Sequence, residues 1–454
     1  MDVDLLVIGS GKAGKTLAVD QAKAGRRVAL VERKMIGGTC INVACIPTKS
    51  LVASARMIRM ARRALDYGLV VEHAGVDVDR LREHKSGVVD GMVELNLKQF
   101  QDAGVDLVMG TARFTAKRTV EVELADGGTR EIRGETVVVN TGSRPVVPDI
   151  PGLRGAHAWT SNTLVGVPEI PERFIVLGGG YVGCECAQMF SAFGSQVTLV
   201  TRSSRLLPNE DEDVSAAVRG FFERDGIDVR TSEDVEWVSR EDDTSVLVKL
   251  VDGAALPADE VLVAMGRQPV TDRLNLPAGK IRTDDDGFIE VDEHLRTTAK
   301  NTWAAGDVAR TPMFTHASLD DYRVIKSCLE GTPRSTRDRL IPYTVFVTPE
   351  LARVGLTERQ AREGGREVAV ATMPVDRIPR ARTMRDTDGF WKAVVDVESH
   401  RILGAALLGP EAGEAISTVQ MAMVTGTPYP GLRDAIITHP TITEGFNLLF
   451  ADLH

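Results

Sequence analysis

The stretch DLLVIGSGKAGKTLAVDQAKAGRRVALVER, residues 4–33, runs through an apolar strand, a glycine turn, a helix and a second apolar strand. Residues 5–8 form the first strand and residues 28–31 the second. Leu17, Ala18 and Ala22 recur at helical spacing between them, and Gly25 ends the helix. Gly9, Gly11 and Gly14 make a G-x-G-x-x-G turn. In such a turn the first glycine permits the bend, the second lets a pyrophosphate approach the backbone, and the third lets helix and strand pack closely. The phosphates then meet amide N–H groups at the positive end of the helix. Glu32 closes the second strand 18 residues after Gly14, where its carboxylate would accept hydrogen bonds from a ribose diol. The reading is a dinucleotide-binding unit.

The same order returns in RFIVLGGGYVGCECAQMFSAFGSQVTLVTR, residues 173–202. Residues 174–177 and 197–200 are its strands, and Gly178, Gly180 and Gly183 its turn, with Tyr181 and Val182 inside it. Thr201 stands where the first unit has its acid, and Arg202 and Arg205 follow. A ribose 2′-phosphate is repelled by a carboxylate and held by arginine, so this unit favours NADPH, with NADH left open. Two such units in one chain fit one nucleotide that stays, a flavin, and one that visits, a nicotinamide. VVVNTGSRP (residues 137–145) is a strand running into a turn. NTWAAGDVA (residues 301–309) ends a strand at Gly306-Asp307, where a carboxylate would hold ribityl hydroxyls.

A chain of 454 residues has room for about three domains. Its net charge of -10 and the lack of a basic run argue against a nucleic-acid surface. No apolar run reaches the roughly 18–20 residues of a membrane span. The start, MDVDLLVIGSG, has no basic segment before its apolar run, so the expected compartment is the cytoplasm. Five cysteines, an odd number, argue against a secreted disulfide scaffold.

Two of the five lie in TCINVACIPTK, residues 39–49. Cα atoms five positions apart on an ideal helix are roughly 8.6 Å apart, whereas a disulfide needs about 4.4–6.8 Å. Cys40 and Cys45 can therefore bridge only where the segment leaves regular helix, and Gly37-Gly38 and Pro47 make room for that. Zinc is the poorer reading, because no second pair has finger-like spacing. A redox-active pair is the better one. Thiol–disulfide exchange needs a thiolate and a proton donor for the leaving thiol, a task suited to histidine. There are eight histidines, and His439 lies in THPTITEGF with Glu444 five residues on. Thr441-x-x-Glu444 also reads as a capping box before an apolar helix over 446–453.

GSGKAG with Glu32, GGTCINVACIPTK, NTGSRP, GGGYVGCE, AAGD and HPTITE occur in this order along nearly the whole chain. Together they resemble the class I pyridine nucleotide–disulfide oxidoreductases, a family of FAD flavoproteins that includes glutathione reductase, dihydrolipoamide dehydrogenase, mycothione reductase and mercuric reductase. The resemblance implies an α/β fold with two Rossmann-like domains and a C-terminal α+β dimerisation domain. It implies an FAD domain over 1–147 and 269–335, an NAD(P)H domain over 148–268 and an interface domain over 336–454. Cys40 matches the interchange thiol and Cys45 the charge-transfer thiol. Lys49, paired with Glu185, matches the lysine near the flavin N5, and Tyr181 matches the residue that covers the flavin until the nicotinamide arrives. His439 and Glu444 match the acid–base histidine and its orienting glutamate, which reach the partner's active site across a homodimer. The resemblance further implies flavin contacts at Arg33, Gly38, Thr39, Ala112, Thr141 and Gly142, and a nicotinamide contact at Gly266.

GKAGKTLAV, SLDDYRV (318–324) and IPRAR (378–382) resemble the branch that holds the reactive-chlorine-resistance copper(II) reductase, with mercuric reductases nearby. The leading expectation is therefore reduction of a copper(II)-type metal ion or an acceptor linked to oxidative stress. A reductase of small disulfides such as glutathione disulfide or mycothione is the second. A flavin-bearing redox sensor is a third, which an intact His439–Glu444 pair speaks against. The end, FNLLFADLH, lacks the cysteine pair of mercuric reductases, and Ile437 stands where lipoamide dehydrogenases carry a further histidine. Cys184 and Cys186 read as packing residues, Cys328 as an ordinary helix residue, His316 as structural, and Met421 and Met423 as core or dimer packing. NEDEDV (209–214) reads as a solvated helix start.

Overall fold

The computed structural model describes residues 1–242 and 245–453. Its first sheet is built on the opening unit. The strand Asp2–Ile8 lies between Val28–Glu32 and Thr129–Val139, parallel to both, with Val7 opposite Leu30 and Val138. Asp106–Ala116 joins parallel to Val28–Glu32 at one end and turns back through Thr119–Leu124 to Thr129–Val139. Thr302–Ala304 adds parallel to Thr129–Val139. The glycine turn, residues 140–142 and the Gly306-Asp307 turn thus meet at the carboxyl ends of parallel strands, where open α/β sheets hold ligands. The helix Lys12–Lys23 buries Ala13, Gly14, Leu17 and Ala18 against this sheet.

The second sheet is wholly parallel, in the order Asp228–Thr231, Gln196–Thr201, Arg173–Leu177, Glu260–Val263, Trp159–Thr160. The helix Tyr181–Phe193 covers it with ten buried residues, Cys184 and Cys186 among them. An antiparallel three-stranded sheet, Val235–Asp242, Ser245–Leu250 and Ala255–Ala258, packs beside it. The C-terminal sheet is antiparallel, in the order Tyr343–Val345, Glu350–Gly355, Ile402–Gly409, Phe390–Asp396, Val368–Pro374. The helices Ala412–Thr425 and Gly445–Leu449 pack on it around Trp391 and Phe446. The architecture is the expected pair of Rossmann-like units followed by an α+β domain. The closing helix is shorter than the apolar pattern implies: it spans Gly445–Leu449 rather than 446–453, and His454 lies outside the described residues.

One expectation fails. Residues 209–214 are not a solvated helix start. Glu210 is 1% exposed and Asp211 is buried, because Arg353 and Tyr343 from the C-terminal sheet supply their partners. Only Glu212 and Asp213, in the first turn of the helix Glu212–Arg224, fit the solvated reading. Met421 is exposed, whereas Met423 packs against the C-terminal core.

In both glycine turns the third glycine packs against the first. A Cβ at Gly14 would lie 2.6 Å from Gly9 O, and one at Gly183 would clash still more closely with Gly178 O. Gly183→Ala is therefore expected to destabilise the protein by about 1–3 kcal/mol through overpacking, although alanine is a good helix former. A urea midpoint equal to that of the wild type would refute this.

Candidate active site

Gly37 and Gly38 both adopt positive φ, 87° and 77°, a conformation open to glycine. They lead into a short helix, Gly38–Asn42, that carries Cys40. Asn42 Nδ2 donates to Ile36 O and Gly38 O, both at 2.9 Å, and fixes this turn. The chain leaves helical geometry at Val43 and Ala44, then starts the helix Cys45–Arg62. Pro47 falls in the first turn of that helix, where the missing N–H costs nothing. The break is what brings the two sulfurs together: Cys40 and Cys45 are free thiols close enough to set each other's acidity.

The contact separates their chemistry. Cys45 is pulled down to about 6, first by the hydrogen bond from Cys40, then by Thr315 and the Lys49 charge, against burial and the Glu185 charge. Cys40 is pushed up, first because it donates to Cys45 and then by burial. Cys45 Sγ lies 3.5 Å from Thr315 Oγ1, the first residue of the helix Thr315–Leu329. The positive end of that helix adds to the preference for thiolate there. Thr315 has no signal in the sequence beyond its place after the Gly306-Asp307 turn.

Lys49 lies one helical turn beyond Cys45, and its Nζ is 2.6 Å from Glu185 Oε2. Glu185 is 5% exposed and also accepts from Phe346 N at 2.9 Å. The pair that the resemblance implies is thus formed between two helices, by residues 136 apart in the chain.

The first glycine turn shows features that fit a dinucleotide. The N-cap of the helix Lys12–Lys23 is Gly11, which has no side chain, and a Cβ on Gly38 would lie 2.8 Å from Gly11 Cα, so backbone faces backbone at the turn. Asn140, which opens the NTGSRP stretch but has no role legible from sequence, stitches the turn: its Oδ1 accepts from Gly14 N at 2.9 Å and its Nδ2 donates to Ala305 O at 2.6 Å. Glu32 is buried and accepts from Ser10 N, Ser10 Oγ, Lys34 N and Met35 N, so a ribose would share an already organised carboxylate. Arg33 beside it is exposed, Thr39 is half-buried in the short cysteine helix, and Ala112 is buried in the strand Asp106–Ala116. Thr141 Oγ1 donates to Val270 O at 2.8 Å, and a Cβ on Gly142 or Gly266, both at positive φ, would meet open space. Asp307 is half-buried and takes a short bond from Ser143 Oγ, with Arg267 Nε at 3.9 Å. Ser143 and Arg267 are further polar groups that sequence reasoning missed. Gly306 N donates to the fully buried Asp321, a residue of the SLDDYRV stretch.

At the second turn Gly180 caps the helix Tyr181–Phe193 without a side chain, and space is open in front of it. Val182 is exposed. The Tyr181 ring packs at 5.2 Å from Tyr343 and 6.4 Å from Phe314. Arg202 is exposed, while Arg205 Nη1 pairs with Glu212 Oε1 at 2.8 Å, so any phosphate would compete with that carboxylate. His316 Nε2 is 2.6 Å from Pro342 O and its ring stacks on Phe314, which suits a structural histidine. His439 Nδ1 is 2.8 Å from Glu444 Oε2, and its side chain is 67% exposed. Glu444 and Thr441 exchange reciprocal bonds, Thr441 N to Oε1 and Glu444 N to Thr441 Oγ1, each 3.3 Å, but the helix begins only at Gly445 with Glu444 as its N-cap, so these bonds close the turn before it rather than the expected capping box. One carboxylate thus serves both the loop and the imidazole.

The family model described as pyridine nucleotide-disulphide oxidoreductase matches residues 3–321, and that of the family's dimerisation domain matches residues 341–449. The chain is 42% identical to the probable pyridine nucleotide-disulfide oxidoreductase RclA of Escherichia coli (strain K12), with 98% of each covered. It is 37% identical to a dihydrolipoyl dehydrogenase of Haloferax volcanii, over 97% of this chain and 94% of the other. It is 32% identical to a mercuric reductase of Staphylococcus aureus, over 98% and 82%. The copper(II) complex of the HOCl-induced flavoprotein disulfide reductase RclA from Escherichia coli superimposes with a TM-score of 0.93 at 42% identity, covering all of both chains.

The lowered Cys45 predicts a thiolate that persists at mildly acid pH. In protein reduced with a dithiol, the thiolate absorbance of wild type minus that of Cys45→Ser should be full at neutral pH and fall as the pH drops through about 6. A midpoint near the ordinary thiol value of about 8.5 would refute the proposed polarisation.

Proposed function

The chain belongs to the pyridine nucleotide-disulphide oxidoreductases, enzymes that use FAD and NAD(P)H, and from that premise we propose that it passes electrons from NADPH, through FAD and the Cys40/Cys45 pair, to a copper(II)-type metal ion or another acceptor linked to oxidative stress. The observation that carries the dithiol step is that Thr315 Oγ1 lies 3.5 Å from Cys45 Sγ and Lys49 one helical turn beyond it, which favours Cys45 as the thiolate and leaves Cys40 the protonated partner. FAD, when bound, supplies the two-electron carrier between nicotinamide and dithiol. Cys45 would serve the flavin side, and Thr315 and Lys49 favour its negative charge. Cys40 faces the acceptor. Lys49 and Glu185 fix the electrostatics beside the flavin.

Oxidation of the dithiol to the disulfide releases two electrons and two protons, enough to reduce two copper(II) ions to copper(I). With a disulfide acceptor, Cys40 would form a mixed disulfide and His439 would protonate the leaving thiol. Glu444 holds the His439 ring through Nδ1, leaving Nε2 for that proton. The exposed His439 suits a role in the partner's site, and the dimerisation domain supports a homodimer. Ile436, Met421 and Val424 are exposed apolar side chains that such a dimer would cover. We place the FAD domain over 1–147 and 269–335, the NAD(P)H domain over 148–268 and the interface domain over 336–454. No helix among the described residues is long and apolar enough to cross a membrane. Among those residues no group of three or more His, Cys, Asp and Glu side chains is arranged to hold a metal ion, so a metal acceptor would be met by the dithiol itself.

Three outcomes test this reading. Turnover of NADPH-reduced protein should be fastest with copper(II) among copper(II), mercury(II), glutathione disulfide, mycothione and lipoamide; a clear preference for a disulfide would move the assignment to small-disulfide reduction. His439→Ala should lower turnover with disulfide acceptors about 100- to 10,000-fold while flavin reduction by NADPH stays intact, and unchanged turnover would remove the histidine from the mechanism. Replacing both Arg202 and Arg205 by alanine should reduce the NADPH over NADH preference in kcat/KM about 10- to 100-fold, as lost charge-assisted bonds to a 2′-phosphate would.

A further inference from the structure

The buried acids at 210 and 211 join the second nucleotide unit to the C-terminal sheet. Glu210 Oε1 accepts from the Tyr343 hydroxyl at 2.6 Å and Oε2 from Arg353 Nε at 2.6 Å, while Arg353 Nη2 donates to Asp211 Oδ2 at 2.8 Å. The Tyr343 ring is stacked on Phe314, at 5.4 Å and 4°, and packs against Tyr181 at 5.2 Å. Burial raises the pKa of the Tyr343 phenol, so it remains a donor to Glu210. The loop that delivers Glu210 starts at the end of the strand Gln196–Thr201 and carries Arg202 and Arg205. Leu207 N donates to Gly179 O at 2.8 Å, and Arg205 Nη2 to Pro208 O at 3.1 Å. One short loop therefore touches the adenosine end of the nicotinamide site, the second glycine turn and the ring behind Tyr181.

We infer that Glu210 and Tyr343 are positioning residues that hold Tyr181 in its closed place over the flavin and tie that place to the loop reading the adenosine end of the nicotinamide nucleotide. This rests on the reading of Tyr181 as the residue that covers the flavin. A nicotinamide must displace Tyr181 to stack there, so whatever stabilises the closed ring weakens nucleotide binding by the same factor. The hydroxyl of Tyr343 does this beside Tyr181 itself, since the two phenol groups also interact directly. Anchored to a carboxylate that Arg353 holds from the other side, Tyr343 forms a wall that cannot yield when Tyr181 leans on it.

Tyr343→Phe tests the inference, since it keeps the ring and removes the hydroxyl. In the FAD-loaded enzyme it should tighten the apparent Kd for NADPH, read by anaerobic stopped-flow reduction, by about 2- to 10-fold, the range one lost hydrogen bond gives. The limiting rate constant should be unchanged, and the flavin fluorescence should rise as Tyr181 spends less time over the ring. In a Tyr181→Ala background the same substitution should change neither quantity. No change in Tyr343→Phe, or an equal shift in both backgrounds, would overturn the inference. Tyr181→Ala alone separates the two layers: if it leaves Kd and fluorescence as in the wild type, Tyr181 does not cover the flavin and the positioning role falls with it.

Discussion

The Lys49–Glu185 pair is the constraint on which the site depends. Glu185 is buried in a helix of the second nucleotide unit, and a lone carboxylate there would be costly. Its partners are Lys49, from the helix that begins at Cys45, and Phe346 N, from the C-terminal part of the chain. Three parts of the protein thus meet at one carboxyl group. Removing one partner of a buried pair typically costs about 3–5 kcal/mol. Because Lys49 is about one-third exposed, the loss here belongs at or below the low end of that range. The more important consequence is geometric. The pair fixes how the helix that starts at Cys45 sits against the second unit.

The dithiol applies the same logic on a smaller scale. Two identical side chains acquire different acidities because one donates to the other and because Thr315 and Lys49 lie on the Cys45 side. The asymmetry comes from the break at Val43 and Ala44, which a continuous helix would forbid. Polar satisfaction around the first glycine turn follows the same economy: Asn140 serves two loops, and Glu32 serves Ser10 and two amides. Each organises backbone that a nucleotide would otherwise have to order on binding.

The acid cluster at 209–214 shows where local reading stops. Four acids in six residues look like a solvated helix start, and Glu212 and Asp213 behave that way. Glu210 and Asp211 do not, because their partner Arg353 lies more than 140 residues away and no local pattern announces it. Asn140, Ser143, Thr315 and Arg267 were missed for the same reason. Each is an ordinary polar residue whose role appears only when the carboxyl ends of distant strands and the start of a distant helix come together.

The two strand–glycine–helix units, the paired cysteines and the His439–Glu444 turn are legible in the chain's local pattern, whereas the Lys49–Glu185 pair, 136 residues apart, came from the family resemblance. Glycine spacing, alternation of apolar runs and the flanks of the cysteines are local constraints on backbone geometry, and they are written in contiguous residues. What polarises Cys45, which acids are buried and what stands behind Tyr181 emerge from the folded chain alone. Those properties arise from charges and rings brought within a few ångströms by the sheets, and the strength of such contacts depends on distance and burial, neither of which is encoded in any single segment.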